Sequence, residues 1–183
     1  LKYSFADKYF LDFTARRDGT SILPEVNRYQ NFFAAGLLWN VLKEGFTQNW
    51  NAFSTLRIRA SYGSSANAQN FPFGDFGYLP LYGAGNYGGL TTLAPTTVGN
   101  PVADWEYTDK ANLGFEFGLM KERLYGEVNL YNEITRNLFI EQQIPAENGG
   151  AFLAADVNAG NMRNRGVELN LTYNILRPRS GLN

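Results

Sequence analysis

The sequence contains neither cysteine nor histidine. That removes disulfide frameworks, thiolate or imidazole metal sites, and every catalytic triad built on an imidazole base. Charge is also sparse. Only 18% of residues are Asp, Glu, Lys or Arg, and 16 basic residues balance 17 acidic ones for a net charge of −1. No electrostatic footprint for nucleic acid follows, and no polybasic membrane-surface patch. Long apolar runs are missing too. The longest, Phe32 to Trp39, falls far short of the roughly 20 residues of a membrane-crossing helix. A helical membrane protein is excluded; a membrane barrel is not, because its strands carry only alternating hydrophobicity.

What is present suits strands. Aromatics make up 15% of the 183 residues and glycine supplies 19 of them, while the mean hydropathy of −0.30 is mildly polar. Aromatic residues favour pleated half-buried surfaces, glycine favours turns, and neither favours a helix.

The alternation is explicit. Tyr9, Leu11, Phe13 and Ala15 share one face of a strand over Tyr9 to Asp18, opposite Asp12, Thr14 and Arg16. Leu1, Tyr3 and Phe5 alternate with Lys2 and Ser4 just before it. A three-residue turn, Ala6-Asp7-Lys8, pairs Phe5 with Tyr9, Tyr3 with Leu11 and Leu1 with Phe13, which keeps the apolar faces together. Gly19 to Gln30 reads as a polar loop. The next strand, Asn31 to Val41, is apolar on both sides, so its orientation stays open. Lys43 to Phe53 is a connector with room for a helical turn. Leu56, Ile58, Ala60 and Tyr62 then alternate with Arg57, Arg59 and Ser61.

Residues 64–103 change character, with much Gly and Pro, interleaved aromatics and little sustained alternation. The reading is one long folded extracellular loop. Trp105 to Met120 sets Leu113, Phe115 and Phe117 against Asn112, Gly114 and Glu116. Arg123 to Glu141 sets Leu124, Val128 and Leu130 against Tyr125, Glu127 and Asn129. A tight Lys121-Glu122 turn pairs Phe117 with Gly126 and Phe115 with Val128. A second loop covers Ile144 to Ala154, and a last strand runs from Ala155 to Ile175. Leu1 opens inside an alternating run and Arg177 to Gly181 reads as an unfinished turn, so the expectation is a fragment.

Strand length points to a bilayer. Several candidates exceed the 5–6 residues typical of globular strands and match the roughly 9–11 that a tilted membrane strand needs. Short turns alternating with long loops fit a barrel with two unlike rims. The expected fold is therefore all-β, an antiparallel up-and-down transmembrane β-barrel segment. Asp12, Arg16, Arg57, Arg59, Glu116 and Glu127 would line its lumen, where ions cost far less than in a sandwich core. Tyr9, Trp39, Tyr62, Tyr107 and Tyr173 fall near strand ends as interfacial girdle candidates.

Several motifs also carry a resemblance. Asp7-Lys8-Tyr9-Phe10-Leu11 running to Arg17-Asp18-Gly19-Thr20-Ser21 resembles a strand of SusC/RagA-type TonB-linked transporters. Asn27-Arg28-Tyr29, Leu56 to Gly63, Asn100-Pro101 with Trp105-Glu106, and Asn112-Leu113-Gly114 match in the same order. So do Arg123-Leu124 with Tyr131-Asn132, and Asn158-Ala159-Gly160-Asn161-Met162 before Asn164 to Leu169. The sequence departs from the pattern at Ile22-Leu23-Pro24 and at Ala66. The resemblance implies about seven strands, roughly a third of a 22-stranded barrel. It also implies an N-terminal plug and TonB-contacting segment, neither of which has counterpart residues here. A SusD-like surface lipoprotein that captures glycans or peptides, and the outer membrane of a Gram-negative, Bacteroidota-like bacterium, complete the expectation.

For substrate contact the candidates are Asp75, Tyr78, Tyr82, Asn86, Tyr87, Asp104 and Trp105, aromatic faces for stacking and polar groups for hydrogen bonds. No metal or cofactor is expected. Asp104 with Glu106 beside Trp105 suggests a glycosidase-like pair only superficially; a polar strand face at a loop base is the preferred reading. Gly83 to Gly89 lacks the Gly-Lys-Ser/Thr ending of a phosphate loop. The rival to the barrel is a soluble β-sandwich carbohydrate-binding module, whose apolar rows would be packed inside.

Overall fold

The computed structural model describes residues 1–67, 76–143 and 154–175. Asp75, most of the Ile144 to Ala154 loop and the Arg177 to Gly181 turn lie outside these described residues.

Seven strands form one antiparallel sheet: β1 (Lys2–Phe5), β2 (Tyr9–Gly19), β3 (Tyr29–Asn40), β4 (Phe53–Asn67), β7 (Glu106–Leu119), β8 (Leu124–Gln143) and β9 (Ala154–Tyr173). The sheet order follows the chain, β1-β2-β3-β4-β7-β8-β9. β5 (Leu81–Tyr87) and β6 (Leu90–Thr97) make a separate two-stranded hairpin between β4 and β7. Residues 64–103 are thus not a single loop. Ser64 to Asn67 continue β4 against Thr108, Asp109 and their neighbours, and the hairpin occupies the centre.

Register carries the physics. Tyr3, Leu11, Leu37, Ala60, Leu113, Leu130 and Val167 are successive cross-strand partners from one edge of the sheet to the other. Phe5, Tyr9, Trp39, Ile58, Phe115, Val128 and Leu169 make a parallel row below it. A one-residue slip anywhere would put these side chains on the polar face, so the pattern fixes the pairing. The register also settles β3: Phe13 faces Ala35 and Leu11 faces Leu37, which sends Phe33, Ala35, Leu37 and Trp39 to the apolar side.

These rows are not packed inside anything. Leu11, Phe13, Leu113, Leu130 and Leu169 stand exposed, as do Val167 and Leu171. Exposed apolar surface of this extent marks an interface rather than a water-facing surface. The sandwich alternative required the opposite arrangement. On the other face the sheet curls, so that Lys2 of β1 and Glu168 of β9 line one concavity of about 1020 Å³.

Length agrees. β8 and β9 have 20 residues each, roughly 65 Å at about 3.3 Å per residue. Even at a tilt near 45° that exceeds an apolar belt of about 25 Å. The surplus projects on one side, where β8 turns polar at Asn132 and β9 at Arg165. That same end carries connections of 9, 38 and 10 residues, 20–28, 68–105 and 144–153, against 3, 12 and 4 residues at the other, 6–8, 41–52 and 120–123. The last of these occupies four residues rather than two, Met120 to Arg123, with Met120, Lys121 and Glu122 all at positive φ. It still produces the expected pairing of Phe117 with Gly126. Two short 3-10 turns, Val41–Lys43 and Gly45–Thr47, fill the 41–52 connector.

Candidate functional site

The polar face of β4, β7 and β8 holds an ion lattice. Strand alternation puts Arg57 and Arg59 on the same side as Glu116 and Glu127. Arg59 Nε lies 3.2 Å from Glu116 Oε1 and its Nη2 meets Glu127, while Arg57 Nη1 reaches Glu116 at 3.7 Å. Asn129 donates to Glu127 at 3.0 Å. Glu116 is only 8% exposed, and a carboxylate so placed persists because its cationic partners are fixed beside it. Gly114 makes the lattice possible: a Cβ there would stand 2.8 Å from Asn129 Oδ1 and 3.2 Å from Arg59 Nε.

Farther along the same face Lys110 pairs with Glu133 at 3.0 Å. Arg16 pairs with Asp18 at 3.2 Å and lies over the Phe32 ring. Asp12 sits against Gly36, its cross-strand partner. All six lumen candidates therefore occupy the concave polar face, and Arg57, Arg59, Glu116 and Glu127 meet in one cluster.

The second constellation is a clasp at the long-loop rim. Leu23, Ala103 and Trp105 are buried together, with Tyr78, Tyr107 and Phe139 packed around them. Trp105 Nε1 donates to the Asn27 carbonyl at 2.7 Å, and its ring meets Phe32 edge-on. Asp104 Oδ1 accepts from the Trp105 amide at 2.8 Å and the Tyr107 hydroxyl at 2.9 Å; Oδ2 accepts from Asn137 at 3.2 Å. Asn158 donates to the carbonyls of Asp104 and Asn137 and accepts from the Asp104 amide at 2.9 Å. Asn100 donates to the Asp156 carbonyl at 3.1 Å. Gly99, at φ +69°, lets this turn press against Leu79, where a Cβ would lie 2.5 Å from the backbone carbon.

The candidates for substrate contact therefore separate. Asp104 and Trp105 are occupied inside the clasp, and Glu106 accepts the Phe139 amide at 3.0 Å rather than pairing with Asp104 as an acid and base. Tyr78 packs beneath the loop. Tyr82 and Tyr87 stand exposed on the hairpin, and Asn86 caps its Gly88-Gly89 tip by accepting the Gly89 amide at 3.1 Å. Asn27, Asn100, Asn137 and Asn158 had no place among the expected site residues. Three of them lie inside the resemblance blocks, which was the available signal: those blocks, far apart in sequence, converge on this rim.

At the short-turn rim, Glu44 receives the Tyr9 hydroxyl at 2.5 Å, Lys8 Nζ at 3.1 Å and Trp39 Nε1 at 3.2 Å. The Tyr9 hydrogen bond, then the Lys8 ammonium, holds its carboxyl below the usual range. Tyr9 and Trp39 stack there at 6.4 Å, and Arg123 lies over Tyr173. Among the described residues no His, Cys, Asp or Glu grouping could hold a metal ion.

Comparison with known proteins agrees with this architecture. The model of the family "TonB dependent receptor-like, beta-barrel" matches residues 1–183. TonB-dependent receptor P26 of Formosa agariphila is 32% identical over 181 residues, covering 97% of this chain and 18% of that protein. TonB-dependent receptor SusC of Bacteroides thetaiotaomicron is 32% identical over 179 residues, 93% of this chain and 17% of its own length. A chain of the RagAB peptide importer superimposes with a TM-score of 0.83 in its closed-closed state and 0.85 in its open-open state. It is 30% identical and covers 97% of this chain and 19% of its own. The sequence thus spans less than a fifth of the length of the curated relatives it matches. It belongs to the TonB-dependent receptor-like β-barrel family, a class of outer-membrane transporters and receptors rather than of enzymes.

Proposed function

We propose that this segment is part of the wall of an importer for oligosaccharides or peptides. The importer works with a SusD-like surface lipoprotein and draws energy through TonB, which contacts a part of the protein outside this sequence. The apolar rows face lipid, the ion lattice faces the lumen, and the long-loop rim faces the outside of a Bacteroidota-like cell. The carrying observation is the seven-strand apolar row, exposed on one face of a sheet whose other face holds Arg59, Glu116 and Glu127. Only a sheet standing between hydrocarbon and water gives both faces a favourable solvent. The partner and the substrate classes are supported by the SusC relative and by the peptide importer RagAB.

Uptake tests the reading. Cells carrying the full-length protein should accumulate labelled oligosaccharide or peptide only while TonB and the neighbouring lipoprotein are present. The protein should leave the membrane only with detergent and migrate in gels in a heat-dependent way. Extraction in plain buffer would defeat the barrel, and uptake indifferent to TonB would defeat the energised importer. Tyr82 and Tyr87 are the exposed loop residues we propose for ligand contact; their alanine variants should raise the half-saturating substrate concentration while leaving the folded barrel intact.

A further inference from the structure

The lipid-facing side carries its charge unevenly. From Leu113 to Leu119 on β7, Leu124 to Leu130 on β8 and Val167 to Tyr173 on β9, the outward positions hold no formal charge at neutral pH. Immediately beyond the row Leu113-Leu130-Val167, the outward pair becomes Asn132 on β8 opposite Arg165 on β9. One step higher Arg163 faces Ile134, and beyond it Arg136 meets Asp109. Arg163 Nε donates to Asn132 Oδ1 at 2.7 Å. Both Arg163 and Arg165 are exposed. Among the described residues, no carboxylate forms an ion pair with either. Three guanidiniums against one carboxylate give this patch a positive excess on a chain whose total is −1.

Placement decides what the excess is for. Side chains two apart on one strand face project about 7 Å from each other. That spacing allows two planar guanidiniums to grip one phosphate group or two close ones. They stand where the apolar band ends, so a ligand held there keeps its apolar part along Leu130, Val167 and Leu169. Solute in the lumen meets the opposite face of the sheet. We infer that Arg163, held by Asn132, and its neighbour Arg165 bind the phosphate of an anionic lipid in the leaflet on the long-loop side. The inference rests on the rim assignment proposed above.

The test uses the full-length protein in neutral detergent, with diphosphoryl lipid A as probe and retention read by native mass spectrometry. Wild type should retain the lipid and discriminate against the same lipid after enzymatic removal of its phosphates. Affinity should fall about fivefold in Arg165→Gln and roughly thirtyfold in the Arg163→Gln, Arg165→Gln double variant. Inorganic phosphate, lacking acyl chains, should not displace it. Three results would overturn the inference: unchanged binding by the double variant, equal retention of the dephosphorylated lipid, or displacement by inorganic phosphate. A second copy of the protein seated there in place of lipid would overturn it as well. Heat-dependent migration separates the two readings, since its absence from wild type strikes the barrel itself. Should the double variant not fold, Arg165→Gln carries the test, because that side chain has no hydrogen-bond or ion-pair partner among the described residues.

Discussion

Glu116 and Glu127 are direct cross-strand partners on β7 and β8, and Arg59 holds both. Like charges directly opposite each other destabilise a sheet unless a cation lies between them. Arg59→Met should therefore lower the thermal midpoint of the full-length barrel by several degrees. Adding Glu127→Gln to that variant should restore much of the loss, because the repulsion goes with the charge. The unfolding temperature, followed by heat-dependent gel migration, reads both steps. A double variant no better than the single one would show that Arg59 acts by packing alone.

Gly126 lies directly beneath the Phe117 ring, which a Cβ at that position would enter. The ring fills the space a side chain would occupy, a covering of strand glycine by a cross-strand aromatic. Gly126→Ala must displace the ring and should cost about 1–3 kcal/mol. Phe117→Leu in the same protein should return part of it. Denaturant midpoints of the refolded full-length barrel measure the effect, and an unshifted Gly126→Ala midpoint would refute the contact.

Alternation made the membrane strands legible because two solvents sort their side chains. Tyr3 opposite Leu11 and Phe117 opposite Gly126 follow from pattern and turn length alone, and the structure has both. The β5–β6 hairpin was not legible in the same way. Among the described residues no buried core forms against it, so Leu81, Tyr82, Tyr87, Leu90 and Leu93 are exposed without regard to parity. Its one local signal is the Gly88-Gly89 pair at positive φ, a tip suited to a two-residue hairpin. The site divides similarly. Charged alternate residues marked Arg57, Arg59, Glu116 and Glu127 as sharing one polar face, whereas the clasp depends on asparagines whose partners are distant backbone carbonyls. No periodicity announces such bonds.

Trp105 gives a prediction that separates packing from ligand contact. Its indole N–H holds the Asn27 carbonyl, and the residue is only 6% exposed. Trp105→Phe should cost about 1 kcal/mol for the lost hydrogen bond, and Trp105→Ala about 3–5 kcal/mol for the cavity as well. The damage should appear first as faster proteolysis between β4 and β7 in the full-length protein. Weaker substrate binding with unchanged proteolysis would instead give Trp105 a direct role at the ligand.

Glu44 ties the 41–52 connector to β2 and β3, and its protonation should loosen that tie. The Tyr9 hydroxyl, first, and the Lys8 ammonium hold its carboxyl below the ordinary range. A carboxyl whose folded pKa is depressed contributes stability above its unfolded pKa, about 4.3. That contribution is lost as pH falls through the depressed folded value. Hydrogen exchange of the Val41 to Asn51 amides, corrected for intrinsic rates, should therefore accelerate only in acid below the usual Glu range. Glu44→Gln should show the faster exchange already at neutral pH and no acid transition. The side chain of Asn40 and the stacked pair Tyr9 and Trp39 carry no charge at these pH values. An acid transition that survives Glu44→Gln would therefore place the titrating group elsewhere in the barrel and detach this carboxylate from the rim's stability.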